Sequence, residues 1–97
     1  MSNTVLQDHP VKVALAHIEK SQSWLAKQAR PDDPTSLIVR ISEVFNGRRP
    51  QFSRRDGLAI YAALKNKVPR RMLTVEQVFA DTESRAIAHH KGATHGQ

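Results

Sequence analysis

Apolar residues in this chain recur at intervals of three and four, and nowhere alternate with polar ones for more than a few positions. That spacing puts them on one side of a helix with about 3.6 residues per turn, and it gives a sheet no face to bury. Such a chain buries its apolar surface by packing amphipathic helices on one another. The cleanest stripe is Leu37, Ile38, Ile41, Val44 and Phe45. The expected fold is all-α: a small bundle of about four short helices with flexible N- and C-terminal tails.

Turn and cap residues divide the chain. Met1 to His9 is polar and unpatterned, and reads as a flexible lead-in. Pro10 suits the first position of a helix running to about Ala29, with a stripe of Val11, Ala14, Leu15, Ile18, Leu25 and Ala29. A narrower stripe of Val13, His17 and Trp24 lies off that face. Arg30-Pro31-Asp32-Asp33-Pro34 ends this helix and starts the second, Asp33 acting as cap. Asn46-Gly47 stops the second helix, since glycine accepts the left-handed conformation there. After a connector from Arg48 to Phe52, Ser53-Arg54-Arg55-Asp56 has the form of a capping box with a shorter acid. The third helix then runs to about Asn66, burying Ile60, Leu64 and part of Tyr61, and Val68-Pro69 breaks it. Thr74-Val75-Glu76-Gln77 is a better capping box; it opens a fourth helix on Val75, Val78, Phe79, Thr82 and Ala86, fading towards His89. Lys91 to Gln97 reads as a frayed tail. One domain over 1–97 is expected, its ordered core about 10–90.

Composition narrows the classes of function. With 97 residues and no cysteine, the chain has no disulfide framework, thiolate zinc site or cysteine nucleophile, which suits a reducing compartment and a cytoplasmic protein. The first thirty residues lack the apolar core of a signal peptide. The longest apolar run, Leu58 to Leu64, is seven residues, against about 20 needed to span a bilayer, so no membrane partner is expected. There is no internal repeat and no glycine-rich loop.

The net charge of +6 is concentrated in one place. From Met1 to Gly47 five bases face five acids, and from Met72 to Gln97 two bases face three acids. Between Arg48 and Arg71 there are eight bases (Arg48, Arg49, Arg54, Arg55, Lys65, Lys67, Arg70 and Arg71) and one acid, Asp56. Some of this is ordinary helix electrostatics. Lys65 and Lys67 close the third helix, and Arg48 and Arg49 follow the second, where the helix dipole favours cations by about 0.3–1 kcal/mol each. Arg54 and Arg55 occupy a first turn, where the dipole disfavours them by a similar amount. Arg70 and Arg71 lie just before a helix start. Positions that break a local rule without a local gain are candidates for function.

The chemistry that would reward them is anion binding. Forked guanidiniums fit phosphates better than lysine does, and a helix entrance adds free backbone N–H groups. Phe52 and Tyr61 are candidate stacking rings, as in single-strand binders, with core packing the competing use for Phe52. The connectors Arg48–Phe52 and Lys67–Leu73 are longer than the tight turn of about 3–4 residues in a helix-turn-helix, so contacts to the phosphate backbone rather than base reading are expected. A plain solvated basic face is the competing reading of the whole segment.

Other chemistry finds little support. His89, His90 and His95 have no partner at the four-residue spacing that puts two ligands on one helix face, so no metal is expected. The acids are scattered, no nucleophile stands beside a base, and no cofactor motif is present, so an enzyme is not expected. Val13, His17 and Trp24 form a candidate protein interface, in its simplest form a homodimer contact. The expectation is a non-catalytic accessory or regulatory protein contacting DNA or RNA phosphates through 48–71. The alternative is an interaction module docking on an acidic protein surface.

Overall fold

The structure, a computed structural model, describes residues 4–88. In chain order these form β1 (Thr4–Leu6), α1 (Pro10–His17), α2 (Gln22–Ala29), α3 (Pro34–Phe45), α4 (Arg54–Leu64), α5 (Val75–Val78), α6 (Thr82–Arg85) and β2 (Ala86–Ala88). The four longer helices carry the core and the fold is all-α, as the spacing of apolar residues requires. Leu25, Leu37, Ile41, Ile60, Leu64 and Val78 are fully buried at its centre. Each contributes about 1.5–3 kcal/mol by leaving water.

Most caps sit where the sequence places them. Pro10 and Pro34 open α1 and α3, and Asp33 accepts the Ser36 N–H at 3.4 Å. Gly47 takes φ 81° just past α3, and the Arg48 N–H reaches back to the Glu43 carbonyl at 2.9 Å. Thr74 and Gln77 form both halves of the capping box, at 3.2 and 2.9 Å. At α4 only half of the expected box forms. Ser53 accepts the Asp56 N–H at 3.2 Å, but the Asp56 carboxylate turns inward instead of back to Ser53.

Two expected helices are broken, neither at a glycine or proline. The helix expected from Pro10 to Ala29 ends at His17, where Glu19 adopts φ 58° and the Lys20 N–H bonds the Leu15 carbonyl at 3.0 Å. A left-handed residue with a side chain costs about 1–2 kcal/mol. Packing outweighs that cost, because α2 lies against α3 and α4 while α1 lies against α5, a pairing that a straight rod could not make. Ser21 then caps α2 by accepting the Trp24 N–H at 3.0 Å. The expected fourth helix stops after Val78. The Thr82 N–H leaves the helical pattern to bond the Pro50 carbonyl at 3.0 Å, and the Phe79 ring lies over Gly57, where even a methyl would overlap it.

The reading of Met1 to His9 as a loose lead-in is corrected from Thr4 onward; Met1 to Asn3 and the tail from Lys91 to Gln97 lie outside the described residues. Thr4–Leu6 pairs antiparallel with Ala86–Ala88, Val5 opposite Ile87. His9 is fully buried between the rings of Phe45 and Phe52, and its Nδ1 caps α1 by accepting the Val11 N–H at 3.0 Å. Burial, then the charge of Arg85, lowers its pKa to about 4; the Ala80 backbone opposes this without reaching hydrogen-bond geometry at Nε2. Arg85 is 4% exposed, and its guanidinium donates to the Val44 and Phe45 carbonyls at 2.7 and 2.9 Å and to that of Gln7 at 3.2 Å. It thus closes the C-terminus of α3, where a cation is favoured, and ties both ends of the described chain to it.

Candidate nucleic-acid interface

The first turn of α4 separates one acid from the cations around it. Asp56, third in the helix, projects inward and is 3% exposed. Arg40 from α3 donates to both its carboxylate oxygens, and Arg30 from the end of α2 stands 3.6 Å away. The single acid of the basic segment is therefore neutralised by bases from outside it. Of the eight bases in the segment, only Arg49 forms an ion pair among the described residues, with Glu43 at 2.9 Å. All eight are exposed. The fold leaves this charge surplus to the solvent.

The cations do not converge on one point. Arg54 borders a shallow groove with Gln51, Phe52 and Phe79. Arg55, one residue and about 100° further round, faces the connector between α2 and α3. There its charge helps to keep the Asp32 carboxyl below the usual carboxylate range, a shift owed first to a hydrogen bond from Arg30. Ser53 satisfies the Asp56 N–H, leaving the Arg54 and Arg55 amides without a hydrogen-bond partner among the described residues. At the far end of α4, Lys65 joins Tyr61 and Arg70 around a larger cavity of about 620 Å³. Eleven residues of helix put roughly 16 Å between the two ends.

One face of α4 links them. At about 100° per residue, Arg54, Leu58, Tyr61 and Lys65 share an arc of about 60°. Leu58 is 43% exposed, and Tyr61 is half-buried with one side packed on the core. The result is a stripe with a cation at each end and apolar surface between, and with Arg55 and Arg70 beside its two ends. A row of guanidiniums and ammoniums alongside a ring can hold a phosphate chain and its bases together.

Phe52 touches the groove beside Arg54 but offers no open ring face to this surface. It is 3% exposed and packs edge-on to His9 and Phe45, so it is unavailable for stacking. Its usual staple partner, Gly57, has no side chain, and the space is taken by Phe79. The stripe expected from Val13, His17 and Trp24 is divided by the break at Glu19. Val13 and His17 are exposed on α1; Trp24, on α2, packs partly into the core with the Lys20 ammonium 5.6 Å from its ring. His89, His90 and His95 lie outside the described residues, and no group of three metal-ligating side chains forms within them. Among the described residues no helix is long and apolar enough to cross a membrane.

Three members of the site were not found by sequence reasoning. Val75, expected on a buried stripe, is 36% exposed at the rim of the larger cavity, with Asn66 and Glu76 beside it. No local pattern marks them; the loop from Lys65 to Thr74 brings them round to Tyr61. No protein-family model, curated protein or solved structure matches this chain.

Proposed function

We propose that this protein is a non-catalytic, nucleic-acid-associated accessory or regulatory protein of the cytoplasm that grips phosphates along the exposed side of α4. One observation carries the reading: seven of the eight bases between Arg48 and Arg71 have no ion-pair partner among the described residues, while the acid among them is buried and already paired. A surface kept positive in this way attracts polyanions whatever their sequence. Arg54 and Arg55 hold phosphates at one end of the stripe, and Lys65, Lys67, Arg70 and Arg71 at the other. Arg48 and Arg49 extend the track.

Titration of DNA and RNA oligonucleotides with wild type and with Arg54→Glu/Arg55→Glu tests this at about 50 and 200 mM salt. Six or more phosphate contacts imply a loss of at least about 10³-fold in affinity between those conditions. The double variant should bind more weakly and lower the salt slope by about 2, with circular dichroism unchanged. Absence of binding to any oligonucleotide at 50 mM salt overturns the proposal. It would favour a second reading, for which the exposed Leu58 is the specific ground. An exposed apolar residue with Arg54 and Arg55 one turn away also suits an acidic protein surface. A homodimer through Val13, His17 and Trp24 has lost its basis in a single continuous helix.

A further inference from the structure

The cavity at the C-terminal end of α4 combines groups that a phosphate track alone does not need. Tyr61 presents a partly exposed ring, and Val75 forms an apolar wall at the rim. Lys65 and Arg70 bring two cations, neither ion-paired among the described residues. Asn66 and Glu76 add an amide and an exposed carboxylate. The volume of about 620 Å³ lies within the range that takes small ligands. A bare phosphate would fill little of it, and Glu76 would repel one placed on its side.

We infer that this cavity receives one nucleotide of a single strand, with its base against Tyr61 and Val75 and its phosphate on Lys65 and Arg70. This rests on the phosphate-binding reading and extends it from backbone to base. A base in a duplex has both faces stacked and cannot present one to Tyr61, so the site distinguishes single from double strands. The Glu76 carboxylate accepts hydrogen bonds. It therefore favours bases carrying an exocyclic amino group, as a carboxylate does when it accepts from cytosine N4. Thymine and uracil offer no such group.

The test compares short oligonucleotides of dC, dA and dT, their RNA counterparts, and a duplex of equal length, bound to the full chain in about 100 mM salt. Single strands should bind more tightly than the duplex, and dC and dA more tightly than dT. Tyr61→Ala should weaken single-strand binding by about 5- to 150-fold, the range of base–aromatic stacking, with little effect on the duplex. Because Tyr61 also packs on the core, exposed Arg70→Ala serves as a second variant. It should weaken single strands and lower their salt slope by about 1. Glu76→Gln should reduce the preference for dC over dT and leave the salt slope unchanged. Equal binding of single strand and duplex, each insensitive to Tyr61→Ala, overturns the cavity assignment and leaves the phosphate track standing. No binding to any polyanion overturns both. Equal binding of DNA and RNA strands fits a site that reads base and phosphate; a strong preference for RNA would mean that the 2′-hydroxyl is read and would overturn the assignment of these residues as sufficient.

Discussion

On its inner side α4 sets Asp56 against the guanidiniums of Arg30 and Arg40; on its outer side it sets Arg54 and Lys65 against water. Both sides belong to one short helix and use arginine, but the energetics are opposite. Inside, charges removed from water are tolerable only in company, so each group depends on the others. Outside, a cation loses little hydration and contributes little to stability. The fold consumes the inner arginines, and Arg85 with them. The outer ones remain available to a ligand, and the contrast can be tested by removing residues from each side in turn.

The largest effect is expected at Asp56. Asp56→Ala leaves Arg40 and Arg30 facing each other in a partly buried seam without their anion. Removing one member of such a set costs about 3–5 kcal/mol, and the 29% exposure of the Arg40 side chain puts this case near the lower end. A domain of this size has about 5–15 kcal/mol in total. Urea unfolding should show a sharply lower midpoint for Asp56→Ala and none of that loss for Arg54→Glu on the same turn. Similar losses for both would erase the distinction between the two sides.

A second buried polar group should respond to pH. His9 titrates near 4 in the folded chain and near 6.5 when unfolded. Between those values the unfolded chain binds more protons, so stability rises with pH. It is fully present above about 6.5 and is lost as pH falls towards 4. The group facing His9 is Arg85, which stays cationic throughout and opposes a second charge. The shift corresponds to roughly 3 kcal/mol across the window. His9→Asn keeps an acceptor for the Val11 N–H but cannot titrate. The gap in unfolding free energy between wild type and variant should therefore narrow from pH 7 to pH 4. A constant gap would show that burial of His9 is not the source.

Gly57 comes next. It sits inside α4, where glycine costs about 1 kcal/mol relative to alanine in an open helix, yet here the Phe79 ring occupies the space of a side chain. Gly57→Ala should destabilise by about 1–3 kcal/mol, the usual cost of overpacking, and Gly57→Ala/Phe79→Leu should recover part of it in the same urea assay. A stabilised Gly57→Ala would mean that Phe79 can move aside freely.

How far these features can be read from the sequence follows from their range. Pro10, Asp33, Gly47 and the Thr74–Gln77 box act within four residues, and each stands where local rules put it. The breaks at Glu19 and after Val78 answer to partners on other helices, although Ser21 was an available cap signal for the first. His9 and Arg85 were illegible because a buried polar residue announces its partners only in three dimensions. The surplus of charge in 48–71 was legible by counting. Its division into an inner seam and an outer stripe was not, because that depends on Arg30 and Arg40 reaching Asp56 from 26 and 16 positions away in the chain. One clue did exist: a lone acid among eight bases is the residue most in need of a defined partner.

The smallest effect on stability is expected at Arg71, where a change in binding would be purely functional. It is exposed, has no ion pair among the described residues and lies outside the lining of the Tyr61 cavity. Arg71→Ala should shift the unfolding free energy by no more than about 0.5 kcal/mol. If Arg71 belongs to the phosphate track, the same change lowers the salt slope by about 1 and weakens all sequences equally, since no base contact is lost. A change in the preference for dC over dT would instead extend the base-reading site beyond the cavity wall. An unchanged slope would end the track at Arg70, which bounds the surface that a partner can cover.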